Sequence, residues 1–325
     1  MAKNKIYPFA VASVRSMENS LLTKQKLMQI AEAKDMEEAI RMLGDTAYGK
    51  TQIRDVHLYE QMIANHLEET YVAVAGLIPT ETFVDIFLYK NDYHNIKVLL
   101  KEEVSKVNGR PFLVRGGTIP VDKMAKNLRE RNYVELPNID GDAVELAVAT
   151  YAKTQNARYI DTILDKACFA TMAKAADKLG NDYVSKYVKT LMDITNLKSL
   201  LRIKKLEREG EELEECYILG GNLSLDLLLR AFRSESFIQV LKETQYGTLC
   251  EEYMGQGFTV FEKACDDYLM SYVKEAKYKT LTPEPVMAFI LAKETEAKCV
   301  RIILACKLHD IDVEIIKERV RESYV

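Results

Sequence analysis

Glycine and proline are scarce in this chain, 14 and 7 among 325 residues. These two residues punctuate loops and interrupt regular elements, so their scarcity predicts long, uninterrupted helices. No apolar run approaches the roughly 18 to 20 residues needed to span a bilayer, and no direct transmembrane segment is expected. The opening, MAKNKIYPFAVASVRSMENS, has no adequate apolar core and reads as mature protein, not as a leader. Work at a membrane would then require another protein to hold the chain there. A surplus of charge is missing too. The formal net charge of −4 offers no general attraction for nucleic acid or anionic lipid. The basic stretch LKSLLRIKKLERE, with Lys198, Arg202, Lys204, Lys205 and Arg208, lacks the interleaved aromatics of a single-strand binder and reads as a solvated helix face or a partner surface. Cysteines at 168, 216, 250, 265, 299 and 306 are scattered, without a disulfide framework. They predict reduced, buried thiols and a cytoplasmic protein.

The usual marks of a reaction centre are also lacking. GGTIPVD (116–122) and GGNLSLD (220–226) match neither phosphate-loop pattern, and no strand precedes them. His57, His66, His94 and His309 form no zinc-type spacing; Cys299, Cys306 and His309 come nearest and read as core and surface residues. CDDYLM (265–270) begins like an aspartate-rich magnesium motif, but Met270 stands where the last carboxylate belongs, so Asp266 and Asp267 read as exposed helix charges. No serine or cysteine sits in a nucleophile signature. No catalytic residue, cofactor or metal is expected.

What the chain does have is helical periodicity and repetition. Hydrophobic residues make up 48% and charged residues 29%, enough for a core and a solvated surface. Apolar positions at three-to-four spacing run through 20–43 and 53–75, and Thr80 is the expected N-cap of a long helix reaching about Val104. One very long helix is expected over 142–179, another to about 206, a third over 248–278 and its partner over 286–308. The charged run LEREGEELEE reads as a solvated turn with flanking helix ends. Strand signals are almost absent, so the fold class is all-α, built from three long helical hairpins.

The hairpins share a text. NDYHNIKVLLK (91–101) returns as MDITNLKSLLR (192–202), matching Asp92, Asn95, Ile96, Lys97, Leu99 and Leu100 to Asp193, Asn196, Leu197, Lys198, Leu200 and Leu201. A weaker third copy, ETEAKCVRIILA, sets Glu296 in the place of Asp92. The turns repeat as well, GGTIPVD as GGNLSLD and LGDTAYG (43–49) as LKETQYG (241–247). Spacings near about one hundred residues point to one unit used three times, with boundaries at 1–112, 113–216 and 217–325. Three copies related by nearly equal steps can close around an axis as a pseudo-three-fold funnel, its first helices lining a hollow; a linear solenoid is equally lawful. Repetition speaks against Asp92, Asp193 and Glu296 as catalytic carboxylates, since a general acid or base occupies one tuned environment. With Asn95 and Asn196 they are expected to serve architecture. Tyr48, Gly49, Tyr246 and Gly247, in the repeated turns, are candidates for either a structural or an interface role.

SVRSMENSLL, LGDTAYG, FLYKNDYHNIKVLLK, DITNLKSLLRIKK, YILGGNLS and ILAKETEAKCVRIILACK fall in the order seen in the C-type subunit of V/A-type ATPases, the family that includes the d-type subunit of the eukaryotic vacuolar pump. The chain resembles that family from about residue 10 to 320. The resemblance implies a funnel of three similar helical parts that sits on the membrane rotor ring and receives the central shaft, whose subunits are of D and F type. It implies torque transmission in a proton- or sodium-translocating complex, at the cytoplasmic face, with no nucleotide bound and no bond broken. The alternative is a helical-repeat scaffold for an unrelated protein partner.

Overall fold

The computed structural model describes residues 7–50, 53, 55–78 and 82–325. Among them the regular structure is all helical, in sixteen α-helices: α1 (Tyr7–Glu18), α2 (Lys24–Ala31), α3 (Met36–Gly44), α4 (Tyr59–Ala75), α5 (Thr82–Ser105), α6 (Val121–Arg129), α7 (Gly141–Thr154), α8 (Arg158–Leu179), α9 (Asp182–Lys205), α10 (Gly210–Cys216), α11 (Leu225–Arg233), α12 (Phe237–Leu241), α13 (Gly247–Tyr253), α14 (Phe258–Lys274), α15 (Glu284–Leu308) and α16 (Val313–Arg319). Side-chain oxygens of Thr23, Asp35, Asp140, Asn181, Ser224 and Asp312 accept from backbone N–H groups in the first turns of α2, α3, α7, α9, α11 and α16. Each such cap satisfies a donor that the helix itself leaves free. The expected cap at Thr80 lies outside the described residues.

Two expected long helices are broken. The 142–179 helix stops at Gln155, which adopts a left-handed φ of 55°, and restarts where the Asn156 side chain accepts from the Arg158 N–H at 3.0 Å. The 248–278 helix is interrupted at Gly257, whose φ of 118° excludes a side chain cheaply. The 20–43 pattern likewise divides into α2 and α3. LEREGEELEE is more than a turn, because it carries all but the last residue of α10, whose Leu213 is fully buried.

The chain forms two compact units, 82–258 and a second made of both ends, 1–81 with 259–325. In the two-ended unit α15 is the axis. Most of its 25 residues are buried, with Lys298 and Arg301 keeping part of one edge in solvent, and α1, α2, α3, α4 and α16 pack against it. Leu27, Leu43, Ile63, Val300, Ile303, Leu304 and Ile316 share this core, each side chain stabilising by about 1.5–3 kcal/mol relative to exposure. In the continuous unit α8 lies between α5, α7 and α9. The long helices also make contacts beyond the expected hairpins. Although α8 and α9 do pair as a hairpin, the broadest contact of α8 is with α5, the last long helix of the preceding copy. In the other unit α15 packs most broadly on α4, the first long helix of the first copy. Long helices thus pack on partners other than their neighbours in sequence.

Candidate functional site

The polar residues of the repeat converge on three buried joints. On α5, Asp92 and Asn95 are three apart and so share a face. Asp92 accepts from the Thr118 N–H (3.0 Å), the Thr118 hydroxyl (2.7 Å) and the Ile119 N–H (3.2 Å). Asn95 grips Val114 in both directions, its amide donating to the carbonyl and its oxygen accepting from the N–H, each at 2.9 Å. The second joint copies the first. Asp193 accepts from the Asn222 N–H (3.0 Å), the Asn222 amide (2.9 Å) and the Leu223 N–H (2.9 Å), while Asn196 grips Ile218 at 2.8 Å both ways. In each case the long helix holds the turn that follows it in the chain. The double glycines matter because of closeness: a Cβ at Gly117 would stand 2.2 Å from the Asp92 Oδ1, and one at Gly221 would stand 2.1 Å from the Asp193 Oδ1.

The third joint has the same logic with different chemistry. Glu296 of α15 accepts from the Leu22 N–H, so the last long helix holds the turn that opens the first copy. Cys299 stands where Asn95 and Asn196 stand, and the two-way amide grip is gone. Instead Lys293, only 2% exposed, donates to Glu296 at 2.9 Å and contacts His66 of α4 at 3.2 Å. Burial drives the Glu296 carboxyl above its ordinary range, against the pull of Lys293 and the Leu22 N–H.

The tyrosine–glycine turns match bond for bond. In one, the Thr46 hydroxyl donates to Leu43, and the Gly49 N–H to the Thr46 carbonyl. In the other, Thr244, Leu241 and Gly247 make the same pair of bonds. A Cβ at Gly49 would meet the Gly44 carbonyl oxygen at 1.9 Å, and one at Gly247 the Lys242 oxygen at 2.0 Å. The two tyrosines are buried and aim at the joints. The Tyr246 hydroxyl donates to Asp193 at 2.7 Å. Tyr48 rests its ring on His66, centroids 4.1 Å apart. Its hydroxyl has no hydrogen bond of good geometry, and the nearby Glu296 carboxylate adds to burial in raising its pKa well above the ordinary tyrosine value.

Neither Lys293 nor His66 was among the residues expected to matter. A lysine three residues before a glutamate within VMAFILAKETEAKCV was the available signal for Lys293; nothing local marks His66, which meets it only through the packing of α4 on α15. Burial, reinforced by the Lys293 charge, lowers the His66 pKa from 6.5 to about 4. Glu296 at 4.0 Å does not reverse this, because Lys293 already occupies that carboxylate. The native state therefore binds fewer protons than the unfolded chain between those values. His66 contributes stability that is complete above about pH 6.5 and is lost as pH falls to about 4, on the order of 3 kcal/mol in all. Urea unfolding at a series of pH values checks this. Relative to wild type, His66→Gln, which keeps an acceptor for Lys293 and does not titrate, is expected to show a flatter slope in that window.

The arrangement offers little to a substrate. Asp92, Asp193 and Glu296 are 1%, 0% and 5% exposed and their oxygens are taken by internal donors. Asp266 and Asp267 are not the exposed charges expected. Asp266 accepts from Lys298 and Arg321, and Asp267 from Lys263 and the Glu322 N–H. Among the described residues no group of histidine, cysteine and carboxylate side chains could hold a metal. All six cysteines are free thiols, and burial pushes Cys168 and Cys250 up to about 12. No described helix is long and apolar enough to cross a membrane.

The convergent acids of this all-helical chain hold its own turns. The chain belongs to the ATP synthase (C/AC39) subunit family, whose model matches residues 10–319, and is a non-catalytic subunit of an A/V-type ATP synthase or ATPase. It is 27% identical to the C-type subunit of the A-type ATP synthase of Methanocaldococcus jannaschii, over 96% of this chain and 85% of that protein. It is 24% identical to the C-type subunit of the V-type sodium ATPase of Enterococcus hirae, over 96% and 97%. With the corresponding A-type ATP synthase protein of Thermococcus kodakarensis the identity is 26%, over 97% and 90%.

Proposed function

We propose that this chain is the coupling piece of the rotor, joining the central-shaft subunits of D and F type to the membrane ring on the cytoplasmic face and transmitting torque between them. The observation that carries this reading is a family match over nearly the whole chain, in a molecule whose buried Asp92, Asp193 and Glu296 serve its own joints. ATP hydrolysed in the head turns the shaft, this chain passes the rotation to the ring, and the ring moves protons or sodium ions. Synthesis runs the same linkage backwards. Residues 1–112, 113–216 and 217–325 then act as three like parts surrounding the shaft end, with Asp92, Asn95, Asp193, Asn196 and Glu296 as the fasteners between parts. Tyr48–Gly49 and Tyr246–Gly247 brace two of those fasteners. A torque-bearing contact must resist twisting, so the shaft and ring faces should each bury at least about 1,200 Å².

Stripping the chain from membranes tests the coupling. ATP hydrolysis by the head is expected to persist while ATP-driven ion uptake into vesicles is abolished, and adding back the chain is expected to restore uptake. Uptake that continues in stripped membranes would sink the coupling role.

A further inference from the structure

The three joints differ in how they are covered. At the second, the chain leaving α9 forms α10, seven residues long, which lies on α9 and α11. Its Leu213 is fully buried, and a Cβ at its Gly210 would be 3.4 Å from the Phe232 ring. At the third, the chain leaving α15 forms α16, also seven residues, which lies on α15 and α2. Its Ile316 is fully buried in the same core as Ala31, Ile303 and Leu304, and its Lys317 pairs with Glu32 at 2.8 Å. Each of these joints is thus roofed by a two-turn helix with a branched apolar side chain underneath.

The first joint has no such roof. Asn95 reaches its partner 19 residues on, where Asn196 reaches 22, so the connecting segment lacks nearly one helical turn. It makes only a short tight turn at Arg110–Phe112. A groove of about 450 Å³ lies open there, floored by Leu99, Leu100 and Leu128, the positions that Ile303, Leu304 and Ala31 fill under α16. Beside it Val107 and Phe112 are exposed.

Charge distinguishes this joint as well. At the other two joints a lysine on the long helix ties it to the end of the short one: Lys204 donates to the carbonyls of Phe232 and Ser234, and Lys307 to that of Ala33. Glu103 stands in that place on α5, next to Glu102; both border the groove, as do Asp122, Arg110 and Arg129, so carboxylates outnumber cations three to two around it. Two carboxylates in the last turn of a helix face its negative end, an arrangement that favours an incoming cation.

We propose that the groove between α5 and α6 seats a short amphipathic helix of a partner protein. That helix is about two turns long, presents one leucine or isoleucine to Leu100 and Leu128, and sets a lysine or arginine against Glu103. Within this chain α10 and α16 are its likenesses. The proposal rests on comparison of the joints and stands apart from the torque-coupling reading.

The full chain and stapled helical heptapeptides, followed by fluorescence anisotropy, provide the test. One peptide carries a central leucine flanked by lysines; the other has the acidic sequence Gly210–Cys216. The basic peptide is expected to bind, and to weaken at least about tenfold as salt rises from 50 to 500 mM. Two variants are expected to lose at least about tenfold in affinity while keeping the wild-type helical circular dichroism. Ala125→Trp fills the groove, and Glu103→Lys restores the lysine found at the other joints. Failure of the basic peptide to bind would overturn the proposal, as would equal binding by both variants or by the acidic peptide. Self-association of the chain that Ala125→Trp abolishes would assign the groove to a second copy and overturn it too.

Discussion

Asp193→Ala is expected to cost the continuous unit roughly 3–5 kcal/mol, among the larger losses a single substitution produces. The carboxylate is fully buried and accepts four hydrogen bonds, from two backbone N–H groups, one side-chain amide and the Tyr246 hydroxyl. Alanine removes every acceptor at once and leaves the donors enclosed, where none recovers a water. The damage should scale with donors orphaned. Asp193→Asn can keep an oxygen facing Asn222 and Tyr246 but turns an N–H₂ group toward the Leu223 N–H, so about half the loss is expected. Asp92→Ala leaves three bonds unmade and no tyrosine, and should cost less than Asp193→Ala. Gly221→Ala should resemble Asp193→Ala, because its Cβ cannot coexist with the carboxylate. Urea unfolding by circular dichroism gives the totals, and hydrogen exchange at the Asn222 and Leu223 amides localises them. Wild-type protection of those amides in Asp193→Ala would refute this account of the joint.

The second large effect belongs to Lys293. Lys293→Met preserves most of the side-chain volume but leaves Glu296 buried without its cation, a change expected to destabilise by about 3–5 kcal/mol. The double variant Lys293→Met with Glu296→Gln should regain much of this, since a neutral amide still accepts from the Leu22 N–H. The pH dependence has a definite sign. Glu296 already has a raised pKa, and removing Lys293 removes what holds it down. The native single variant therefore takes up a proton more readily than its unfolded chain, and its deficit relative to wild type should shrink as pH falls. A double variant no more stable than the single one would show that the pair is not coupled as described.

Local signals carried the sequence reading far in some places and not at all in others. Asp92 with Asn95 and Asp193 with Asn196 were legible because the same spacing on the same helical face is written twice. Glu296 was found by register although Cys299 replaces the amide. The double glycines were legible as turns, but the reason for Gly117 and Gly221 was not, since their crowding comes from a carboxylate about 25 to 30 residues away. The breaks at Gln155 and Gly257 were missed because apolar periodicity continues past them. A left-handed residue there shifts the helix axis without disturbing the pattern. The polar run around Leu213 concealed α10, whose burial depends on one side chain. His66 and Lys293 lie on helices far apart in the sequence, and no pattern internal to either could join them.

Asp92 and Asp193 hold turns that lie 27 and 30 residues further on, respectively, and Glu296 holds Leu22 near the other end of the chain. A length of chain cut out over 113–216 would keep the turn at Thr118 and Ile119 without Asp92, and Asp193 without the turn at Asn222 and Leu223. One end would carry an acid with nothing to receive it, the other a turn with nothing to hold it. That mutual dependence accounts for a folding unit assembled from both chain ends. It also means that removing either chain end would strip the Glu296–Leu22 joint of one of its partners.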